Sequence, residues 1–163
     1  MTEPTLHALL AWNRAETRRW HAWFLAHPSA LELSMGAGST SSVRGMIRHV
    51  FAVDLRYAQR LAGLPVSGFD TLAASDVESL FALAERAHAV LEGWLATATP
   101  ADLARSYTFM TLSAGERSAS GRKIVVHTCT HHVRHWAQIA TVLRMHGRKS
   151  DWPHDFLLND AMA

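Results

Sequence analysis

The sequence predicts an all-α protein, a four-helix bundle with one irregular loop or short hairpin before the last long helix. Three observations carry this. Four stretches, each of about twenty residues or more, repeat apolar side chains at helical spacing. Pro, Gly or small polar capping residues bound them. Of the 163 residues 48% are apolar and only 18% charged, enough for the helices to share one core rather than stay disordered. Residues 1–163 are read as a single domain.

The first helix is expected from Thr5 to His27, where Leu6, Leu9, Leu10, Asn13, Thr17, Trp20 and Phe24 share one side. Trp12, Trp20 and Trp23 give it bulk, and Pro28 stops it. Asn13 lies among the apolar positions and needs a hydrogen-bond partner if buried. Ser29 to Thr40 connects to the second helix, and the run Gly36 to Ser42 supplies serines suited to capping. That helix runs from about Ser42 to Ala62 on the stripe Val43, Met46, Ile47, Val50, Asp54, Tyr57, Ala58, Leu61, closed by Gly63 and Pro65. Its single histidine, His49, sits at the stripe margin beside Met46 and Val53.

After a loop from Leu64 to Ala74, Ser75 and Glu78 have capping-box spacing. They open a third helix to about Ala98, with Leu80, Phe81, Leu83, Ala84, Ala87, Val90, Leu91, Trp94 and Leu95 as its core set. His88, near Glu85 and Glu92, reads as a surface residue, and Pro100 ends the helix. Ala101 to Gly121 lacks a helical stripe; Tyr107 to Leu112 is β-prone and Gly115 suggests a turn. The last helix begins at Ser118 or Ser120 and runs to His146, with Gly147 after it. The tail from Asp151 offers one helical turn at Asp155 to Leu158, packed back on the bundle.

The net charge of +2 and the scattered arginines leave no basic stripe, which speaks against nucleic acid as a partner. The single Cys129 excludes an internal disulfide, and its place on the far side of the last helix suits a small buried residue. The N-terminal apolar run is broken by Asn13, Arg14, Glu16, Arg18 and Arg19, so it does not read as a signal peptide; no run is long enough for a membrane span. A cytoplasmic protein with no membrane partner is the expectation.

The chemistry lies in the last helix. At roughly 100° per residue, His127, His131 and His135 step round the axis by about 40° each and share one side, close to Ile124 and Val142. Most of the arginines fall on another arc. Two imidazoles one turn apart can hold one metal ion, but such a pair also serves as ordinary core hydrogen bonding, and a metal needs a third ligand from elsewhere. His49 on the second helix is a sensible third ligand, although periodicity alone does not bring it there. His132, about 100° round from His131, is the rival ligand.

An ordered set of residues resembles the DinB family. The first helix has Leu9-Leu-Ala-Trp-Asn13, and a Gly/Ser connection follows. The second helix has Ile47-Arg-His49-Val leading to Asp54. The last has His131-x-x-x-His135-x-x-Gln138-Ile-Ala-x-x-Leu143-Arg-x-x-Gly147, then an acidic, aromatic tail from Asp151 to Asp155. The resemblance covers nearly the whole chain. It implies a four-helix bundle holding a divalent metal, zinc or nickel, on His49, His131 and His135. One departure is Trp136, where the family often has Arg after the second ligand, which bears on substrate contacts rather than on the metal. By the same resemblance His127 is a cavity residue or supports a ligand.

Three neutral ligands without a carboxylate leave open positions, the pattern of catalytic rather than structural zinc. Such a metal can acidify water, polarise a carbonyl or hold a thiolate. Relatives of the family use a low-molecular-weight thiol such as mycothiol or bacillithiol as co-substrate. The expected function is therefore a metal-dependent thiol S-transferase or isomerase acting on a small molecule, with a metal-dependent hydrolase as variant. His127, Asp54 and Tyr57 are the candidates for proton transfer or orientation. A non-catalytic metal-binding stress-response bundle is the second reading, and a bundle whose histidines are only core hydrogen-bonders the third. The apolar content permits a homodimer.

Overall fold

In the computed structural model, residues 5–36, 40–111, 115–155 and 158 are described. Four long helices carry the chain, and their ends follow local chemistry. Helix α1, Leu6–Ala26, starts where the Thr5 hydroxyl accepts the Ala8 N–H, and stops at His27 before Pro28, which opens a 3-10 turn, Pro28–Glu32. Helix α2, Val43–Leu61, is capped by Ser42, whose hydroxyl accepts the Gly45 N–H.

Helix α3, Val77–Thr97, is capped by Asp76, not by the expected Ser75 and Glu78. The Asp76 side chain accepts the Ser79 N–H while the Ser79 hydroxyl accepts back from the Asp76 N–H, so the box sits one residue further on. Pro100 does not merely end α3. It is the first residue of a short helix α4, Pro100–Ala104, boxed by Thr99 and Asp102. The stretch that follows forms the short hairpin. Strands β1, Ser106–Thr111, and β2, Gly115–Ser120, pair antiparallel from Ser106↔Ser120 to Thr111↔Gly115. Helix α5, Gly121–Met145, begins at Ser120, which accepts the Lys123 N–H; Ser118 belongs to the strand. The α5 end is closed by Gly147, whose φ of +69° lets the chain turn back so that Arg148 N–H reaches the Leu143 carbonyl.

Helix α2 packs on α3 and α5, and α1 packs on the same two. The fold is mostly helical, with one small antiparallel sheet. One apolar cluster gathers Trp20, Phe24, Ile47, Phe51, Leu80, Ile139 and Leu143. A second, at the other end, joins Leu10, Leu61, Leu91, Leu95, Ile124 and Cys129, with Tyr107 and Phe109 of the hairpin against it. Each such side chain contributes about 1.5–3 kcal/mol by leaving water.

His88 is buried rather than exposed, because it continues the α3 core stripe Ala84, Leu91, Leu95. Cys129 is buried as expected, and burial pushes its thiol up to about 11. Asn13 is buried too, its amide beside that thiol. The tail does return to the helices. Trp152 Nε1 and His154 Nδ1 both donate to the buried Glu16 carboxylate of α1. The turn expected at Asp155 to Leu158 falls largely outside the described residues, as do parts of the Gly36–Ser42 run and Leu112. Among the described residues no helix is long and apolar enough to cross a membrane.

Candidate metal centre

Helices α2 and α5 bring His49, His131 and His135 together. One ring nitrogen from each lies within 4.8 Å of the others. The Nε2 atoms of His131 and His135 are 3.1 Å apart, against about 3.3 Å for two nitrogens on one tetrahedral zinc. His135 Nδ1–H donates to Gln138 Oε1 at 2.7 Å, one turn along α5. That bond fixes the tautomer and turns the Nε2 lone pair towards the other two rings.

The electrostatics suit a metal. Burial lowers the pKa of all three rings; His135 adds to the effect at His49 and His131, and Arg134 and His132 add to it at His135. His131 is driven to about 2, by burial first and then by His135, His49 and His127. The rings are therefore neutral at pH 7, the form that ligates. Three converging neutral imidazoles, one of them already aimed by an outer hydrogen bond, fit a divalent cation.

The cluster opens into a cavity of about 380 Å³. His127 lies along the same wall, its ring 5.3 Å from that of His131, and burial lowers its pKa as well. Tyr57 faces the cavity from α2, edge-on to His127 at 5.5 Å and to Phe109 of β1 at 5.3 Å. Burial raises the Tyr57 pKa, so its hydroxyl stays protonated at neutral pH.

Asp54 does not line this cavity. It is buried behind it and accepts a hydrogen bond from His132 Nε2. Asp54, expected as a candidate for proton transfer or orientation, thus holds the His132 imidazole and none of the three clustered rings. His132, the rival ligand, lies outside the three-His cluster. Its one-residue offset from His131 turns it round α5 into the core, where it packs by Phe51. Trp136 also points inward, stacked on Trp20 at 4.9 Å, and does not line the three-His cavity.

Sequence reasoning missed several lining residues: Arg56 and Arg60 on α2, Arg134 on α5, Phe69 of the loop and Met110 of the hairpin. Arg56 and Arg60 fall seven and eleven residues after His49, a helical spacing that places them on its side. Gln138 lies three residues after His135, and that spacing signals its contact. Another cavity, of about 440 Å³, lies between α1, α5 and the tail. It is lined by none of the three clustered histidines, so the chemistry selects the first.

The DinB family model matches residues 1–162, almost the full sequence. The chain belongs to the DinB family. A comparison with curated proteins gives no match. This DinB chain thus carries a three-His cluster that could hold a metal ion.

Proposed function

We propose that this DinB protein is a metalloenzyme of the thiol S-transferase or isomerase type, with His49, His131 and His135 as the ligands of one zinc or nickel ion. The observation that carries the reading is the convergence of three neutral imidazoles within 4.8 Å beside an open cavity. A structural zinc site would be closed by a fourth protein ligand, whereas here the donors face space. The helix contacts, α1 and α2 each against α3 and α5, support a four-helix bundle formed by the whole chain as one domain.

Bound there, the ion would supply Lewis acidity that holds a thiol as thiolate at neutral pH. The protein's own residues do the rest. Gln138 keeps the His135 ring oriented. His127, neutral and at the cavity wall, can accept a proton from an incoming group and return it to a leaving one. The Tyr57 hydroxyl, kept protonated, can donate to an oxygen of the substrate. Asp54 acts at one remove by fixing His132 and biasing the field at the cluster.

The test is elemental analysis of untagged protein, wild type and His49→Ala, His131→Ala and His135→Ala. One equivalent of a divalent metal in the wild type, lost in each variant, is the expected result. The loaded protein should then consume a low-molecular-weight thiol with an electrophilic partner. No metal after reconstitution would overturn the proposal.

A further inference from the structure

Three guanidinium groups line the cavity beside the imidazoles, Arg56 and Arg60 from α2 and Arg134 from α5, and among the described residues no Asp or Glu lines it with them. Among the described residues the arginines that pair with carboxylates are Arg14, Arg44 and Arg105, not these three. Two of the three are held by aromatic rings. The Arg56 guanidinium lies 4.4 Å from the Phe69 centroid and donates to the Ser67 carbonyl. That of Arg60 lies 5.6 Å from Tyr57 and 5.3 Å from Phe109. Contact with a ring face fixes the plane of a guanidinium and leaves N–H groups on its edge to donate. Asp54, on the same helix as Arg56 and Arg60, is engaged with His132 in the interior. Three like charges gathered round one cavity repel each other unless an anion joins them, and a metal on the histidines would add to the positive field.

We infer that the cavity takes a small organic carboxylate, its acid group gripped by Arg56, Arg60 and Arg134 while its reacting end reaches the three histidines. This rests on the metal-enzyme reading above for the reacting end and on the arginines alone for the acid. A guanidinium presents two parallel N–H donors that match the two oxygens of a carboxylate. Val53, Phe69 and Met110 also line the cavity, so its walls suit a carbon skeleton rather than a bare inorganic anion. The volume of about 380 Å³ admits a molecule of metabolite size.

The test is calorimetric titration of glutarate, and of its neutral analogue glutaramide, into the full-length protein with and without zinc. The variants are Arg56→Gln, Arg60→Gln, Arg134→Gln and Arg60→Lys, with Arg86→Gln on the exposed face of α3 as control. Glutarate should saturate the wild type in both forms, and glutaramide should bind at least about tenfold more weakly. Each Arg→Gln change in the cavity should weaken glutarate by about tenfold, Arg60→Lys should recover part of the loss, and Arg86→Gln should change nothing. Circular dichroism of each variant confirms that the helices are intact. Equal affinity for glutarate and glutaramide, or Arg→Gln variants that bind like the wild type, would overturn the inference. Tighter binding of inorganic phosphate than of glutarate would overturn the carboxylate. His131→Ala separates the two readings: it should lose zinc and keep glutarate. A wild type that takes no zinc yet binds glutarate would refute the metal alone.

Discussion

His88 offers a sharp test of how the interior is built. Its ring is almost wholly enclosed, and neither ring nitrogen has a protein partner among the described residues. Burial, with the nearby His132 adding to it, lowers its pKa to about 4. The unfolded chain restores the ordinary value near 6.5. The unfolded state therefore takes up the proton first. Stability is whole above about pH 6.5, falls as the pH drops below it, and levels off below about pH 4. Between pH 7 and pH 4.5 this one group should withdraw about 2.5 kcal/mol, at 1.36 kcal/mol per pH unit. His88→Leu removes the group at similar volume. The variant should be more stable than wild type by about 1 kcal/mol at pH 7, since a buried N–H without a partner is costly. At about pH 4.5 the advantage should widen to about 3–4 kcal/mol. Urea unfolding of both proteins with a chelator present, at the two pH values, reads the difference directly. The chelator matters because any metal on the three histidines would add its own pH dependence. Equal acid losses in the two proteins would refute the reasoning, and a variant weaker at pH 7 would show that the ring has partners it needs.

Three further outcomes follow from particular contacts. Gln138→Ala removes the acceptor that orients His135 and should weaken zinc by about 10–100-fold in a competition titration with a chromophoric chelator, leaving the fold intact. Asp54→Asn breaks a fully enclosed pair with His132 and should cost about 3 kcal/mol in urea unfolding at pH 7; a cost under about 1 kcal/mol would mean that the pair does little for stability. In Gly121→Ala the new methyl would sit 2.8 Å from the Asp102 carbonyl and 3.2 Å from Trp94. Because a backbone atom cannot step aside cheaply, α5 should shift at its start and lose about 1–3 kcal/mol, read by the same unfolding assay.

Much of the fold could be read from spacing. Periodicity separated the four long helices, and Pro28, Gly63 and Gly147 marked ends that the structure keeps. His131 and His135 were legible because one helix fixes the angle between its own residues. His49 was harder, because periodicity gives an angle about an axis and says nothing of the distance between two axes; the resemblance supplied it. The same limit hid Arg56 and Arg60. At a helix margin a guanidinium looks solvated, and only the arrival of Phe69 and Phe109 from other parts of the chain turns that margin into a cavity wall. His88 was misread for a different reason. Its polar ring outweighed its position, yet Ala84, Leu91 and Leu95 already said that the position faces inward. The Asp76 cap was lost to a neighbouring match of the same pattern, since a box is settled by backbone angle rather than by composition.

The hairpin is a small appendage with a disproportionate role. Helices α2 and α5 hold the histidines, and they are bound into the core by large aromatic and aliphatic side chains that tolerate little change. Strands β1 and β2 pair chiefly with each other, and Met110 and Thr111 line the cavity. One part of the cavity wall is thereby lodged on a piece of chain separate from the helices that carry the histidines and the arginines. A lineage could lengthen, shorten or recolour the hairpin, and so admit a different guest, while the residues that would do the chemistry stay where the long helices put them.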